Sequence, residues 1–142
     1  MSLSMAAAVC GGRLIGCGEP DAPIGRAVID SRAVEPGDLF VAYRGEKTDG
    51  HRFIASALEK GAVCALCEWV PEGVEGPVLV VGDVQCALEE IAASYRRTLH
   101  IPIVGVTGSV GKTTAKEMIA SVLSQRFRVL KTEGNLNNQI GV

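Results

Sequence analysis

The sequence is short of aromatic residues, of surplus charge and of long apolar runs, and these shortages exclude several classes of protein. Aromatic residues make up 4% of the 142 residues, and the formal net charge is −2. Without a basic surplus, nothing favours a nucleic acid or an anionic membrane as partner. No apolar run approaches the roughly 18 residues of a membrane-spanning helix, and the N-terminus lacks the basic region of a secretory signal. We therefore expect a cytoplasmic protein that does not insert into a membrane.

The cysteines are expected to be reduced thiols, and the CxxC pair among them to be packed in the core. Their odd number, five, in a chain without a secretion signal indicates reduced thiols. Cys64 and Cys67 form a CxxC motif, for which a redox or zinc site is the alternative. The motif lies in an apolar run typical of a strand, where residues three apart face opposite sides. A second CxxC is missing and the sequence has only two histidines, so core thiols are the better interpretation.

What the sequence does have is a globular composition, 47% hydrophobic and 21% charged, with an uneven distribution of charge. Residues 99–142 carry five basic and two acidic side chains, whereas residues 1–98 carry nine basic and 14 acidic. Such asymmetry favours two segments with different functions, and we divide the chain into residues 1–99 and 100–142. Met5 is interpreted as the natural start behind a Met-Ser-Leu-Ser leader, which is left out of the fold prediction.

The first segment alternates between apolar runs and helical periods, which predicts an α/β architecture. The predicted strands are residues 39–43, 63–68 and 78–81, and the predicted helices are residues 53–60 and 85–99.

The second segment begins with an apolar run at residues 103–106, which predicts a strand, followed by a glycine-rich turn at residues 107–114. A helix is predicted next, because apolar residues recur with helical spacing. They are Ala115, Met118, Ile119, Val122 and Leu123. Residues 127–130 predict a further strand. One strand, one helix and one strand do not complete a nucleotide-binding sheet, so we expect the truncated start of a larger domain.

The order strand, glycine turn, Lys-Thr and helix predicts a phosphate-binding loop. Two glycines let successive backbone N–H groups point at one anion, and the following helix and Lys112 add positive charge. The Thr113 hydroxyl is placed to ligate an Mg²⁺ ion that bridges two phosphates. Val106 stands where the common GxxxxGK[ST] pattern has glycine. The alternative is a turn that binds nothing, and the loop alone does not distinguish a GTPase, kinase, ATPase or ligase.

Three motifs resemble the Mur ligase family. Residues 107–114, TGSVGKTT, are similar to the family's ATP loop, TGxxGK[ST], which lacks the earlier glycine. Residues 30–32, Asp-Ser-Arg, and residues 49–54, DGHRFI, look like the family's N-terminal domain that binds a UDP-sugar. The closing residues 134–142, GNLNNQIGV, are similar to the branch of the family that adds D-alanyl-D-alanine.

The resemblance implies a small N-terminal α/β substrate-binding domain followed by the start of a P-loop ATP-binding domain. It also implies an ATP- and Mg²⁺-dependent ligase of peptidoglycan precursor synthesis, monomeric at full length, acting on UDP-N-acetylmuramoyl-tripeptide and D-alanyl-D-alanine through an acyl phosphate. The family's second metal-binding acid, carbamylated lysine, adenine pocket and C-terminal domain are expected beyond Val142. We therefore expect this chain alone to be inactive.

Roles carried over from the family give two sets of candidate residues. Those expected at the ATP phosphates are Gly108, Ser109, Val110, Gly111, Lys112, Thr113 and Thr114, with Lys112 as the catalytic residue and Thr113 as the Mg²⁺ ligand. Those expected at the nucleotide-sugar substrate are Ser31, Arg32, Lys47, Thr48, Asp49, Gly50, His51, Asn135 and Asn138. Ordinary structural roles remain open: a turn with a solvated arginine at residues 30–32, a packed or capping histidine at position 51, and turn formers at the asparagines.

Two rival functions also remain open. A ligase that adds a diamino acid to UDP-N-acetylmuramoyl-dipeptide shares the first two motifs, and only residues 134–142 argue against it. A nucleotide-binding module without catalysis is the alternative from a different class. A switch GTPase would need an NKxD-type motif, which the sequence lacks.

Overall fold

The computed structural model describes residues 1–16, 19–45 and 48–132. The chain divides into two compact units, Met1–Leu99 and His100–Val142, of which the second is described as far as Thr132. In the described residues no helix is both long enough and apolar enough to cross a bilayer.

The first unit is built on a mixed five-stranded sheet with the strand order β1-β5-β4-β3-β2. The strands are β1 (Arg13–Ile15), β2 (Ala27–Val28), β3 (Leu39–Val41), β4 (Cys64–Cys67) and β5 (Val78–Val80). Strands β2 to β5 run parallel, and β1 pairs antiparallel with β5 at the edge. The parallel strands therefore bring their carboxyl ends to one edge of the sheet, the edge at which ligands bind in sheets of this kind.

Helices cover both faces of this sheet. On one face lie α1 (Leu3–Cys10) and α3 (Val84–Thr98), and on the other lies α2 (Ile54–Glu59), which follows a 3₁₀ turn at Gly50–Phe53. α3 begins where the Asp83 carboxylate accepts the Cys86 backbone N–H at 2.7 Å, an N-terminal cap. The predicted α/β class, the three predicted strands and the two predicted helices are confirmed, with ends that differ by one or two residues.

The CxxC motif lies on β4, with its cysteines on opposite faces of the sheet. Cys64 belongs to the apolar cluster under α1 and α3, and Cys67 to the cluster under α2. Burial raises the pKa of the Cys67 thiol to about 11, which suits an inert core side chain. The interpretation of both cysteines as packed thiols is confirmed.

The segment set aside as a leader is part of the fold, so leaving it out of the fold prediction was wrong. The Ser2 hydroxyl accepts the Met5 backbone N–H and caps α1, and Leu3 is fully buried in the core. Gly11 ends the helix in the left-handed conformation, with φ +60°. A serine cap and a glycine stop around eight residues are the signals that would have predicted this helix.

The second unit contains one helix in its described part, α4 (Lys112–Leu123), at the predicted place. The strands predicted at residues 103–106 and 127–130 are wrong, because the structure has no strand in either range. A strand exists only through pairing with a neighbour, and no described segment pairs with these two runs. Both runs are largely exposed.

Candidate functional site

The glycine turn leads directly into α4 and leaves the amino end of the helix exposed. Gly108 has φ +152° and Gly111 has φ +79°, values in the region that favours glycine. A Cβ on Gly111 would meet no atom within 4 Å, so the backbone conformation, and not crowding, requires glycine there. In the part of the chain that the structure describes, no side chain caps the helix at Gly111. The turn therefore presents the positive end of a 12-residue helix to solvent.

The Lys112 side chain folds back over this turn. Its Nζ donates a hydrogen bond to the carbonyl oxygen of Gly108 at 2.7 Å. The ammonium group is thereby held beside the amino end of α4, on the same turn as the exposed Ser109 and Val110. A full positive charge and the helix dipole thus act on one small volume of solvent, which is the electrostatic requirement for binding a phosphate group.

The residues of the turn fit a magnesium ion that takes most of its ligands from elsewhere. Within the described ranges, no group of three or more His, Cys, Asp or Glu side chains could hold a metal. Thr113 lies exposed in the first turn of α4, and its hydroxyl is an oxygen ligand of the kind that Mg²⁺ binds. Since Mg²⁺ at nucleotides usually keeps water and phosphate oxygens as ligands, a single hydroxyl is compatible with the predicted role of Thr113.

Residues 30–32 form an exposed turn held by a carboxylate. Asp30 accepts the Arg32 backbone N–H at 2.9 Å, and its two oxygens accept Nε at 3.0 Å and Nη2 at 2.8 Å from the Arg32 side chain. These bonds lower the pKa of the Asp30 carboxyl to about 2. The Arg32 side chain is 86% exposed. The geometry thus fits the alternative interpretation, a turn with a solvated arginine. It also leaves the Arg32 guanidinium exposed to solvent, where a ligand could bind.

The predicted substrate segment 48–51 lies at the carboxyl end of β3 and leads into α2. Thr48 is exposed and Asp49 is half-buried, whereas Gly50 and His51 are buried. A Cβ on Gly50 would approach the backbone of Ala42 and Tyr43 to 2.8 Å, so only glycine fits. The His51 ring is enclosed by its own chain, which favours the packed or capping interpretation of this histidine over direct contact with a substrate.

The substrate candidates form two groups at opposite ends of α2. The Ser31 carbonyl oxygen accepts a hydrogen bond from Lys60 Nζ at 2.8 Å, and Lys60 caps the carboxyl end of α2. His51 lies in the 3₁₀ turn at the other end. The backbones of His51 and Lys60 are therefore separated by roughly 14 Å along the 3₁₀ turn and α2. Lys47, Asn135 and Asn138 lie outside the described residues.

Two residues at the carboxyl end of β4 were missed as candidates, although they lie beside the segment 48–51. The Glu68 backbone N–H donates to His51 Nε2 at 3.0 Å, and the Trp69 indole stacks on the His51 ring. The signal that would have drawn attention to them is their place directly after a parallel strand, together with the single tryptophan of the sequence.

Fold and site together define an α/β protein that exposes a positively charged helix N-terminus, and comparison with known proteins identifies its family. The chain matches the Mur ligase family, catalytic domain, over residues 24–107, and the Mur ligase middle domain over residues 106–142. The first match covers more than half of the chain. The protein therefore belongs to the Mur ligase family.

The chain is similar to ligases that add D-alanyl-D-alanine. It is 49% identical over 124 residues to UDP-N-acetylmuramoyl-tripeptide–D-alanyl-D-alanine ligase of Synechocystis sp., covering 86% of this chain and 27% of that protein. It superposes on a crystal structure of MurF from Acinetobacter baumannii with a TM-score of 0.86 and 37% identity, covering 99% of this chain and 31% of that one. MurF from Thermotoga maritima in complex with ADP gives a TM-score of 0.73 and 37% identity, covering 82% and 27%. The chain thus spans less than a third of each relative.

Some relatives are named for a different amino acid. UDP-N-acetylmuramoyl-L-alanyl-D-glutamate–2,6-diaminopimelate ligase of Syntrophomonas wolfei is 39% identical over 128 residues, covering 85% of this chain and 26% of that protein. A solved structure of a ligase with this name gives a TM-score of 0.55 and 29% identity, covering 89% of this chain and 26% of that one. Both values are below those of the two MurF structures, which favours the branch that adds D-alanyl-D-alanine over the branch that adds a diamino acid.

Proposed function

We propose that this chain is part of an ATP-dependent ligase that joins D-alanyl-D-alanine to UDP-N-acetylmuramoyl-tripeptide in peptidoglycan precursor synthesis. The observation that carries the proposal is the turn at residues 107–114, with Lys112 held over the exposed amino end of α4. The 49% identity to a ligase of this name supports the choice of substrates.

In the proposed reaction an oxygen of the tripeptide carboxylate attacks the γ-phosphorus of ATP, and ADP leaves. The amine of D-alanyl-D-alanine then attacks the acyl carbon of the acyl phosphate, loses a proton, and displaces inorganic phosphate. Phosphoryl transfer depends mainly on position and on neutralised charge. In this chain the amino end of α4 and the Lys112 ammonium would supply both the position and the neutralising charge. The ammonium would give up its hydrogen bond to the Gly108 carbonyl and donate to a phosphate oxygen instead.

Magnesium, when bound, would supply further neutralisation of the phosphate charge. Of the described residues, Thr113 is the proposed protein ligand, through its hydroxyl in the first turn of α4. The hydroxyl would fix the position of the ion relative to Lys112, so that both charges act on the same phosphates.

The nucleotide-sugar substrate is proposed to bind along α2. The two groups of candidate substrate-binding residues, 30–32 and 48–50, lie near opposite ends of this helix. Only an elongated ligand would therefore contact both groups. A guanidinium such as that of Arg32 suits a diphosphate, because it donates two parallel hydrogen bonds to phosphate oxygens.

The experiment that tests this function is ATP-dependent phosphate release by the full-length gene product supplied with UDP-N-acetylmuramoyl-tripeptide. We expect release that requires D-alanyl-D-alanine and that is lost in Lys112→Ala. The matched control is Lys116→Ala, one helical turn further along α4, which should keep the activity. Release that requires a diamino acid and the dipeptide precursor would instead support the rival ligase. If neither substrate pair gives phosphate release, the interpretation as a nucleotide-binding module without catalysis would be favoured.

A further inference from the structure

The His51 ring makes all of its polar contacts inside the chain. The side chain is 2% exposed, its Nδ1 lies 2.7 Å from Asp49 Oδ1, and its Nε2 accepts the Glu68 backbone N–H at 3.0 Å. Because Nε2 accepts a hydrogen bond, the ring of a neutral His51 carries its proton on Nδ1 and donates it to Asp49. Neither nitrogen is left to bind a substrate.

One face of the same ring is covered by Trp69. The ring centroids of His51 and Trp69 are 3.6 Å apart and the planes are inclined by 3°. The indole, which is 41% exposed, therefore lies between the imidazole and solvent. Two consecutive residues at the end of β4, Glu68 by its backbone and Trp69 by its side chain, fix the orientation of His51.

The contacts of His51 also fix the turn that precedes it. Asp49 Oδ1 accepts the His51 backbone N–H at 3.0 Å in addition to the ring N–H, and the backbone bond is the main reason that the pKa of Asp49 is lowered. The Gly50 N–H donates to the Tyr43 carbonyl oxygen at 3.0 Å. The turn at residues 48–50 is thus tied to the end of β3 by Gly50 and to the end of β4 by His51.

The same network reaches the amino end of α3. Glu68 Oε1 accepts the backbone N–H of Val84 at 3.4 Å, and Val84 is the first residue of that helix. The loops that follow β3, β4 and β5 are therefore joined through His51 and Glu68 at the edge of the sheet where ligands bind.

We propose that His51 is a positioning residue, which holds the turn at residues 48–50 in place so that Thr48 and Asp49 meet the nucleotide-sugar substrate. This inference rests on the proposed function. It replaces the expectation that the His51 side chain touches the substrate. Its distinguishing consequence is that Trp69, which stacks on His51 and is not among the substrate candidates, matters for the same step.

A double-mutant cycle in the full-length gene product tests the coupling. We expect His51→Ala to raise KM for UDP-N-acetylmuramoyl-tripeptide about tenfold with little change in kcat, and Trp69→Leu to raise KM in the same direction. The double variant should be no worse than His51→Ala alone, because both changes release the same turn. His51→Asn, which can still donate to Asp49, should recover part of the loss, and the matched control His100→Ala should leave KM unchanged. An unchanged KM in Trp69→Leu, or additive losses, would overturn the proposal.

A second measurement requires no activity. Hydrogen exchange of the Glu68 amide in the 142-residue chain should be at least about ten times faster in His51→Ala, because the amide loses its acceptor. The emission of Trp69, the single tryptophan, should shift to longer wavelength as the indole loses its stacking partner. An unchanged exchange rate would overturn the positioning role even if the ligase assay succeeds. A wild-type enzyme without ligase activity would refute the proposed function separately.

Discussion

The two units of the chain contain similar sequence signals but differ in what these signals build. In the first unit the apolar runs form adjacent strands, helices cover both faces, and Phe40 at the centre is 0% exposed. In the described part of the second unit the apolar runs remain unpaired, Met118 on α4 is 66% exposed, and Ala120 is the one buried hydrophobic residue. The difference teaches that an apolar run becomes a strand only where neighbouring strands supply its hydrogen bonds.

This comparison separates stability from chemistry. Substitutions in the core of the first unit should act mainly on the free energy of unfolding, whereas substitutions in the turn of the second unit should act mainly on activity.

The largest effect is expected from emptying the core of the first unit. Phe40→Ala removes a fully buried side chain from β3 and should lower the free energy of unfolding by about 3–5 kcal/mol. Met118→Ala is the matched change on an exposed face, and we expect less than about 0.5 kcal/mol from it. Urea denaturation followed by circular dichroism measures both. Equal losses would show that the second unit has a core of its own.

The phosphate-binding turn should behave in the opposite way. Lys112→Ala should lower phosphate release by the full-length enzyme at least about 100-fold, because the ammonium beside the amino end of α4 is lost. The melting temperature of this variant should stay unchanged, since within the described residues the Lys112 side chain bonds only to the exposed Gly108 carbonyl. Lys112→Arg keeps the charge and tests whether the geometry also matters. A large drop in melting temperature would mean that Lys112 has a structural role.

Acid sensitivity is expected from a buried carboxylate at the start of β3. Asp38, whose side chain is 4% exposed, binds Arg26 through both oxygens, and these bonds lower its pKa from 3.8 to about 2. A lowered folded-state pKa stabilises the fold above pH 3.8, and this contribution is lost as the pH falls towards about 2. It amounts to about 2 kcal/mol. Acid denaturation of the Asp38→Asn variant should lack this pH-dependent loss of stability. If the stability of the variant falls with decreasing pH as steeply as that of the wild type, Asp38 is not the group responsible.

The smallest effect on stability is expected from Asp30, the exposed counterpart of Asp38. Its pKa is also lowered to about 2 by an arginine, but its side chain is 45% exposed. Solvent screens an exposed pair, so Asp30→Asn should leave acid unfolding nearly unchanged. If Arg32 serves the nucleotide sugar, KM for UDP-N-acetylmuramoyl-tripeptide should still rise by about threefold, because the guanidinium loses its orientation. Unchanged kinetics would favour the purely structural turn.

The parts that sequence reasoning predicted are those set by local periodicity. The strands at residues 39–43, 63–68 and 78–81 and the helices that follow them were found because apolar spacing specifies them directly. β1 and β2 were missed because they lie at the two edges of the sheet and are partly exposed, so that no buried apolar run marks them; they exist through pairing with β5 and β3. Helix α1 was missed for another reason: its capping serine and stop glycine are readable, but the serine was assigned to a leader and left out of the prediction.

The candidate site shows the same limit. The glycine turn and α4 follow from a local pattern, and the structure places Lys112 over the turn as that pattern requires. The network around His51 joins residues 49, 51, 68 and 69 across two strand ends, and such contacts between distant positions leave no periodic signal. A histidine that follows an aspartate and a glycine in sequence cannot be assigned to substrate or to packing until its neighbours in space are known.

The central claim, that this family member activates a carboxylate with ATP, is tested most directly by oxygen transfer. UDP-N-acetylmuramoyl-tripeptide labelled with ¹⁸O in the carboxylate that reacts would be incubated with ATP, D-alanyl-D-alanine and the full-length gene product. Mass spectrometry of the released phosphate then reports where its oxygen came from. The account predicts one ¹⁸O atom in each phosphate released from fully labelled carboxylate, together with formation of the ligated product. Unlabelled phosphate would mean that ATP is hydrolysed by water, and it would contradict the proposed ligase chemistry.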